Sequence, residues 1–192
     1  MTATQPAPKL SKWFFEPGHT AAEFVARHMM VTWVRGTFKN VAGDIEFDEG
    51  RLAETKIDVS IAANTLWTGE PARDAHLQSA DFLDVSNHPS IEFHSTGVKV
   101  FGGRDFDVAG DLRIRGVTKP VTLHVAYLGQ WDTPWWEDGV NKGPRRRAGF
   151  VARTRINRHD FGVSWNDEVP GGGVVVGDYV DIIIDVEAVK IP

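Results

Sequence analysis

The sequence predicts an all-β fold: an eight-stranded antiparallel up-and-down barrel with one short helix near residues 70–79 covering one end. Three observations carry that expectation. Most of the chain alternates apolar and polar residues with period two, as strands do when one face meets a core and the other meets water. The alternating segments number about eight and several reach about ten residues, which suits a closed barrel without exposed edges. Only one stretch, TGEPARDAHLQSADFLD at 68–84, reads as a helix. A two-sheet sandwich is the competing architecture.

Residues 1–11 are expected to be a flexible segment ahead of a single barrel domain at 12–192. Strand signals then begin with HTAAEFVARH (19–28), GTFKNVAGDIEFD (36–48) and ETKIDVSIAA (54–63). Pro71 suits the first turn of the helix, where its missing N–H has no partner to lose. So short a helix is marginal alone, and Leu77, Phe82 and Leu83 are the residues able to pack it onto the barrel. SIEFHSTGVKV (90–100) follows, then RDFDVAGDLRIRG (104–116), where alternation is cleanest. There Phe106, Val108, Gly110, Leu112 and Ile114 share one face, and Asp105, Asp107, Asp111, Arg113 and Arg115 share the other. PVTLHVAYLGQW (120–131) leads into WDTPWWEDGVNKGPRRR (131–147), whose turn-forming residues read as a loop at one end of the barrel. RAGFVARTRIN (147–157) places Ala148, Phe150, Ala152 and Ile156 inward, and Arg147, Arg153 and Arg155 outward. A turn at Gly171–Gly173 precedes GDYVDIIIDVEAVK (177–190), and Gly50, Gly102-Gly103 and Gly116 mark turns between earlier strands.

Small residues recur on the inward faces: Ala22, Ala26, Gly43, Gly110, Ala148 and Ala152. They leave room for a cavity, though a tapered barrel also tolerates them. Phe24, Phe38, Phe47, Phe93, Phe106 and Phe150, with Trp33, either line that cavity or fill an ordinary core.

Composition narrows the function. Against 26 acidic residues stand 21 basic ones, a net charge of −5, so no broad positive field exists to hold nucleic acid. Cysteine is absent, which removes disulfides and thiolate chemistry. The start MTATQPAPKLSKW has no apolar run of signal-peptide length and no segment is long enough for a membrane span, so a cytoplasmic location is expected. Arg73, Asp74, His76 and Asp81 crowd the helix and would suit acid/base or metal chemistry; the alternative is that they cap and pin a plug. The histidines fall on different elements without metal-ligand spacing, and no serine sits in a nucleophile-elbow frame, so no catalytic residue, metal or cofactor is assigned.

Four segments together, GHTAAEFVARHMMVTWVRGTF, RDAHLQSADFLDVSNHPSIEFHST, GDLRIRGVTKPV, and INRHDFGVSW followed by GGGVVVGDYVDI, resemble the successive signatures of the YceI-like family over residues 12–190. The resemblance implies a lipocalin-like barrel that binds a polyisoprenoid or similar long amphiphile, such as a prenyl quinone or prenyl diphosphate, commonly as a homodimer and without catalysis. Thr20 stands where the family usually has Ser. Trp33, bulkier than usual before VRG, is expected to reshape the cavity. On this reading the ligand-binding candidates are Phe24, Ala26, Trp33, Phe38, Phe47, Leu77, Phe82, Phe93, Phe106, Leu112, Phe150, Ala152 and Ile184. Arg145, Arg146 and Arg147 are the head-group candidates, because guanidinium forks fit phosphate oxygens. The alternatives are an enzyme, such as a hydrolase, using the Arg73/Asp74/His76/Asp81 cluster, and an interaction module with a filled barrel.

Overall fold

The computed structural model describes residues 9–192. Ten strands form one antiparallel sheet: β1 (Lys12–Phe15), β2 (Ala21–His28), β3 (Thr32–Phe38), β4 (Val41–Glu46), β5 (Lys56–Ala62), β6 (Ser90–Gly102), β7 (Asp105–Ile114), β8 (Val117–Glu137), β9 (Val140–Asn157) and β10 (Val176–Lys190). They make eight staves, because the first two are each broken once. β1 and β2 lie end to end along one edge of β10, with Phe15 opposite Ala188 and Ala21 opposite Asp185. β4 and β3 flank β1 and β2 in the same way. Each stave then pairs with the next in sequence, and β10 returns to β1 and β2, so the barrel closes up-and-down and the sandwich alternative falls.

The breaks have local causes. Between β1 and β2, Pro17 offers no N–H, and the Thr20 hydroxyl bridges the gap by accepting from Glu187 N–H and donating to Glu187 C=O, each at 3.3 Å. Between β3 and β4, Asn40 takes a left-handed φ of 56°, which a short amide side chain tolerates. Beyond Thr37, which pairs with Trp67, no strand adjoins the outer edge of β3 among the described residues; the chain from Trp67 into the helix lies on that side.

One expectation about the barrel's end is corrected. Residues 131–147 do not form a loop; they extend β8 and β9 as a hairpin, paired from Trp131 opposite Arg147 to Glu137 opposite Val140. Asp138 and Gly139 make the turn with φ of 50° and 76°, the left-handed pair that a two-residue hairpin needs. Of the segment 1–11 expected to be flexible, residues 1–8 lie outside the described residues, and Ser11 is fastened, its carbonyl accepting the Phe47 N–H at 2.9 Å.

Helix α1 (Pro71–Gln78) falls where expected. Its N-cap Glu70 accepts from the N–H groups of Ala72 (3.2 Å) and Arg73 (2.6 Å), and Pro71 opens the first turn. Three short 3-10 segments (Glu49–Glu54, Ala63–Thr65, Arg158–Phe161) supplement it. No helix among the described residues is long and apolar enough to cross a membrane.

The interior divides along the barrel axis. At the β1 end, Trp13, Phe47, Tyr127 and Phe150 pack ring against ring, with centroids 5.1 to 6.0 Å apart, and Trp13 donates its indole N–H to the Phe47 carbonyl at 3.0 Å. That half is full. The other half lies under α1 and is not.

Candidate functional site: an apolar cavity under helix α1

A cavity of about 190 Å³ occupies the half of the barrel beneath α1. Strands supply most of its wall: Ala22, Phe24 and Ala26 from β2, Val59 and Ile61 from β5, Ile91 and Phe93 from β6, Leu112 and Ile114 from β7, and Val180, Ile182 and Ile184 from β10. Leu77 of α1 and Phe82 and Leu83 just beyond it close the top, and Phe161, Val163 and Val176 close the side. Alternation therefore did what period two requires, turning one apolar row per strand toward a common interior.

Eight of the sequence-predicted candidates stand on this wall: Phe24, Ala26, Phe38, Leu77, Phe82, Phe93, Leu112 and Ile184. Five do not. Phe47, Phe106 and Phe150 face inward but belong to the filled half, at 0 %, 1 % and 4 % exposure. Ala152 is buried beside them, paired between Val125 and Ile184. Trp33 points outward, 43 % exposed, with the Arg27 guanidinium 4.7 Å above its ring, so it does not shape the cavity. Alternation predicts which face a residue takes and is silent on its depth along the axis, which separates the two sets.

The small residues divide in the same way. Ala22 and Ala26 leave room at the wall. At Gly43 and Gly110 the space is taken by the rings of Phe15 and Phe93, which lie where a Cβ would be, and Phe24 covers Gly36 likewise.

Several wall residues were missed by sequence reasoning, and Arg158, the one cation among them, differs from the rest in its chemistry. It is 4 % exposed and carries no carboxylate partner among the described residues. Its guanidinium instead donates to four carbonyls, those of Gly177 (2.9 Å), Val163 (2.7 Å), Trp165 (2.8 Å) and Val176 (3.1 Å). Burial lowers its pKa, and the charge of Asp178 acts in the opposite sense. The residue thereby ties both ends of the 163–177 segment to the cavity wall. The signal was present: residues 148, 150, 152, 154 and 156 run inward, and Arg158 is next in phase.

The polar residues of the helix have local roles. Asp74 accepts from the backbone N–H of Thr68 at 2.9 Å and from its hydroxyl, while Arg73 donates to the same hydroxyl (2.7 Å) and to the Thr68 carbonyl (3.0 Å). Gln78 reaches the Asn64 carbonyl rather than Asp74. His76 lies 3.0 Å from Asp81 and edge-on to Phe82 and Trp165. None of the four stands on the cavity wall, and their bonds fasten α1 to the chain on either side of it, at Thr68 and Asp81.

Arg145, Arg146 and Arg147 sit at the opposite end. Arg145 pairs with Glu137 (3.4 Å) and lies over the Trp135 ring, Arg146 forks onto Asp132 (2.6 and 2.7 Å), and Arg147 pairs with Glu187 (2.7 Å). From Arg147 to the wall residue Thr154 is seven residues of β9, roughly 23 Å at about 3.3 Å each. None of the three stands on the cavity wall. Nearby, Glu16, His19 and Glu187 bring three potential ligand atoms within 4.8 Å of one another, but Glu187 already holds Arg147, and His19 Nδ1 lies 2.7 Å from Glu16.

Residues 13–188 match the YceI-like domain. The chain belongs to the YceI-like family. A UPF0312 protein of Enterobacter sp. (strain 638) is 40 % identical over 175 residues, 91 % of this chain and 83 % of that protein. Among solved structures, Burkholderia cenocepacia BcnA superposes with a TM-score of 0.75 at 20 % identity, covering 90 % of this chain and 98 % of that one. A polyisoprenoid binding domain from Saccharophagus degradans gives 0.62 at 14 % identity, over 95 % of this chain and 100 % of that one. These two likenesses concern the fold, and the YceI-like barrel is the fold described above.

Proposed function

We propose that this YceI-like barrel binds the apolar chain of a polyisoprenoid or similar long amphiphile, and sequesters or carries it. The observation that supports this most is the cavity: an apolar space under a short helix, in a barrel whose other half holds the packed rings of Trp13, Phe47, Tyr127 and Phe150. The name of the Saccharophagus neighbour agrees with the reading. The driving force is removal of apolar area from water, about 0.8 kcal/mol for each buried CH₂, so no specific polar contact is required.

Two consequences follow for the ligand. At about 190 Å³ the cavity is below the range of about 300–1,000 Å³ usual for small-molecule sites, so a long chain enters only as Leu77, Phe82 and the 163–177 segment yield. With Arg145–Arg147 remote and the Arg158 guanidinium engaged by carbonyls, the head group contributes little, and prenyl quinone, alcohol and diphosphate of equal chain length bind within a few-fold of each other. A homodimer belongs to the same proposal, with Trp131 and Trp136 of the exposed β8–β9 hairpin as the contact, checked by sedimentation of the wild type against Trp136→Ser. Organic extraction of the purified protein followed by mass spectrometry tests the ligand class: a co-purified prenyl lipid supports the reading, and a short polar metabolite in its place overturns it.

A further inference from the structure

The turn between β2 and β3 is unusual in composition. His28, Met29, Met30 and Val31 form a β-turn closed by the Val31 N–H to His28 C=O bond at 3.1 Å, inside the three-residue loop between the paired His28 and Thr32. Both central residues have positive φ, 47° and 62°, where Asn-Gly is the favoured pair and a bulky side chain is strained. Two methionines occupy those positions, and they are not buried in return: Met29 is 43 %, Met30 51 % and Val31 79 % exposed. Along the outward row of β3 the apolar tip is followed by the exposed indole of Trp33 and then by Arg35. At about 3.3 Å per residue, Val31 to Arg35 spans roughly 13 Å. The order apolar, indole, guanidinium is that of acyl boundary, interface and phosphate in a lipid leaflet.

Arg27 stands nearer the tip, donating to the Met30 carbonyl at 2.8 Å and stacked on Trp33, and further cations lie along the wall. Arg35 and Arg153 line one outer groove with Trp33 and carry no ion pair among the described residues, whereas the groove's acidic Asp181 is held by two guanidinium nitrogens of Arg155 at 2.6 and 2.9 Å. His124, also in that groove, takes Asp107 at 2.6 Å. Two cations are therefore left for anionic phosphate: Arg35, four residues along from Val31, and Arg153, one step further along the barrel in register with Thr37. The tip also adjoins the cavity wall: Met29 donates to the carbonyl of Val175 at 2.8 Å, and the next residue, Val176, lines the cavity, as does Ala26 two residues before the turn.

We infer that the β2–β3 hairpin docks the barrel on an anionic lipid bilayer, with Met29, Met30 and Val31 in the acyl boundary, Trp33 at the interface and Arg35 and Arg153 on phosphate. The docking stands on this hairpin and Arg153 of β9; its use as a loading route for the cavity rests on the binding reading above.

Flotation with vesicles of phosphatidylcholine, with and without phosphatidylglycerol, tests it. Wild type floats with the mixed vesicles and less with phosphatidylcholine alone. Met29→Asn with Met30→Gly installs the favoured turn pair, so the fold is kept while the tip loses its apolar side chains. Its affinity for mixed vesicles falls at least about tenfold, and its urea midpoint does not fall. Arg35→Gln with Arg153→Gln abolishes the preference for phosphatidylglycerol. The inference is overturned if wild type floats with neither vesicle, if the turn variant floats like wild type, or if sedimentation shows that the turn variant dissociates a dimer, which would make the tip's partner a second copy. Uptake of a fluorescent prenyl probe from solution is read in parallel: the turn variant retains it, and its absence from wild type together with intact flotation would defeat the binding reading and leave the docking standing.

Discussion

Ala26 and Ala152 present the same side chain to the same barrel interior, yet an added ring has opposite consequences at the two. Ala26 borders the cavity, so Ala26→Phe fills space and leaves the urea midpoint near that of wild type. Ala152 is 7 % exposed in the packed region, so Ala152→Phe displaces neighbours and costs about 1–3 kcal/mol in the same measurement. Arg158 is the residue on which the 163–177 segment depends. Arg158→Met strands the carbonyls of Gly177, Val163 and Trp165, while that of Val176 keeps the Asn166 amide at 2.8 Å; each unsatisfied group costs about 1–3 kcal/mol where water cannot reach it. A loss of at least about 3 kcal/mol is expected, with faster amide exchange across residues 163–177 as its local signature. Arg158→Lys does not restore protection, because a single ammonium cannot span acceptors that a planar fork reaches.

At the scale of elements, α1 is held by a few contacts at each end: Asp74 and Arg73 on Thr68, and Leu77 on the barrel interior. Leu77→Asp is expected to speed release of a fluorescent prenyl probe several-fold, while the β-sheet circular dichroism stays that of wild type, because a short lid opens before the barrel does. An unchanged off-rate would remove the helix as a gate. The elements also show what was legible in the sequence. Clean alternation in 104–116 and a proline-led helix at 71 were readable because each depends on near neighbours alone. The β8–β9 extension carried its own signal, Asp138-Gly139 between alternating residues, which the density of turn formers concealed. The breaks at Pro17 and Asn40 and the division of the interior into full and hollow halves were not readable. They depend on which depth of one strand meets which depth of another, and period two carries no information about that register.

The whole molecule stands on a closed sheet with many ion pairs across its outer surface, and these set its response to acid. Hydrogen bonds from Arg155 hold the Asp181 carboxyl below its ordinary value of 3.8, those from Arg146 do the same for Asp132, and Ser90 with Arg113 lowers Glu92 below 4.5. Depressed carboxyl values mean that the unfolded chain binds more protons than the folded one, so stability rises with pH through this range. Their contribution is complete above the ordinary carboxylate values and is lost as pH falls through the depressed ones. Urea midpoints are therefore expected to be level from neutrality to about pH 5 and to decline below about pH 4, with a smaller decline in Arg155→Gln. The pairs are exposed, so each contributes modestly and high salt flattens the profile. The central claim concerns the hollow half of the barrel. It is tested most directly by equilibrium titration of a fluorescent prenyl probe into wild type and into Ala26→Phe. Saturable binding at one probe per chain in wild type, lost by at least about tenfold in a variant that remains folded, is the predicted result. Equal binding by both would place the chain outside the cavity and contradict the account.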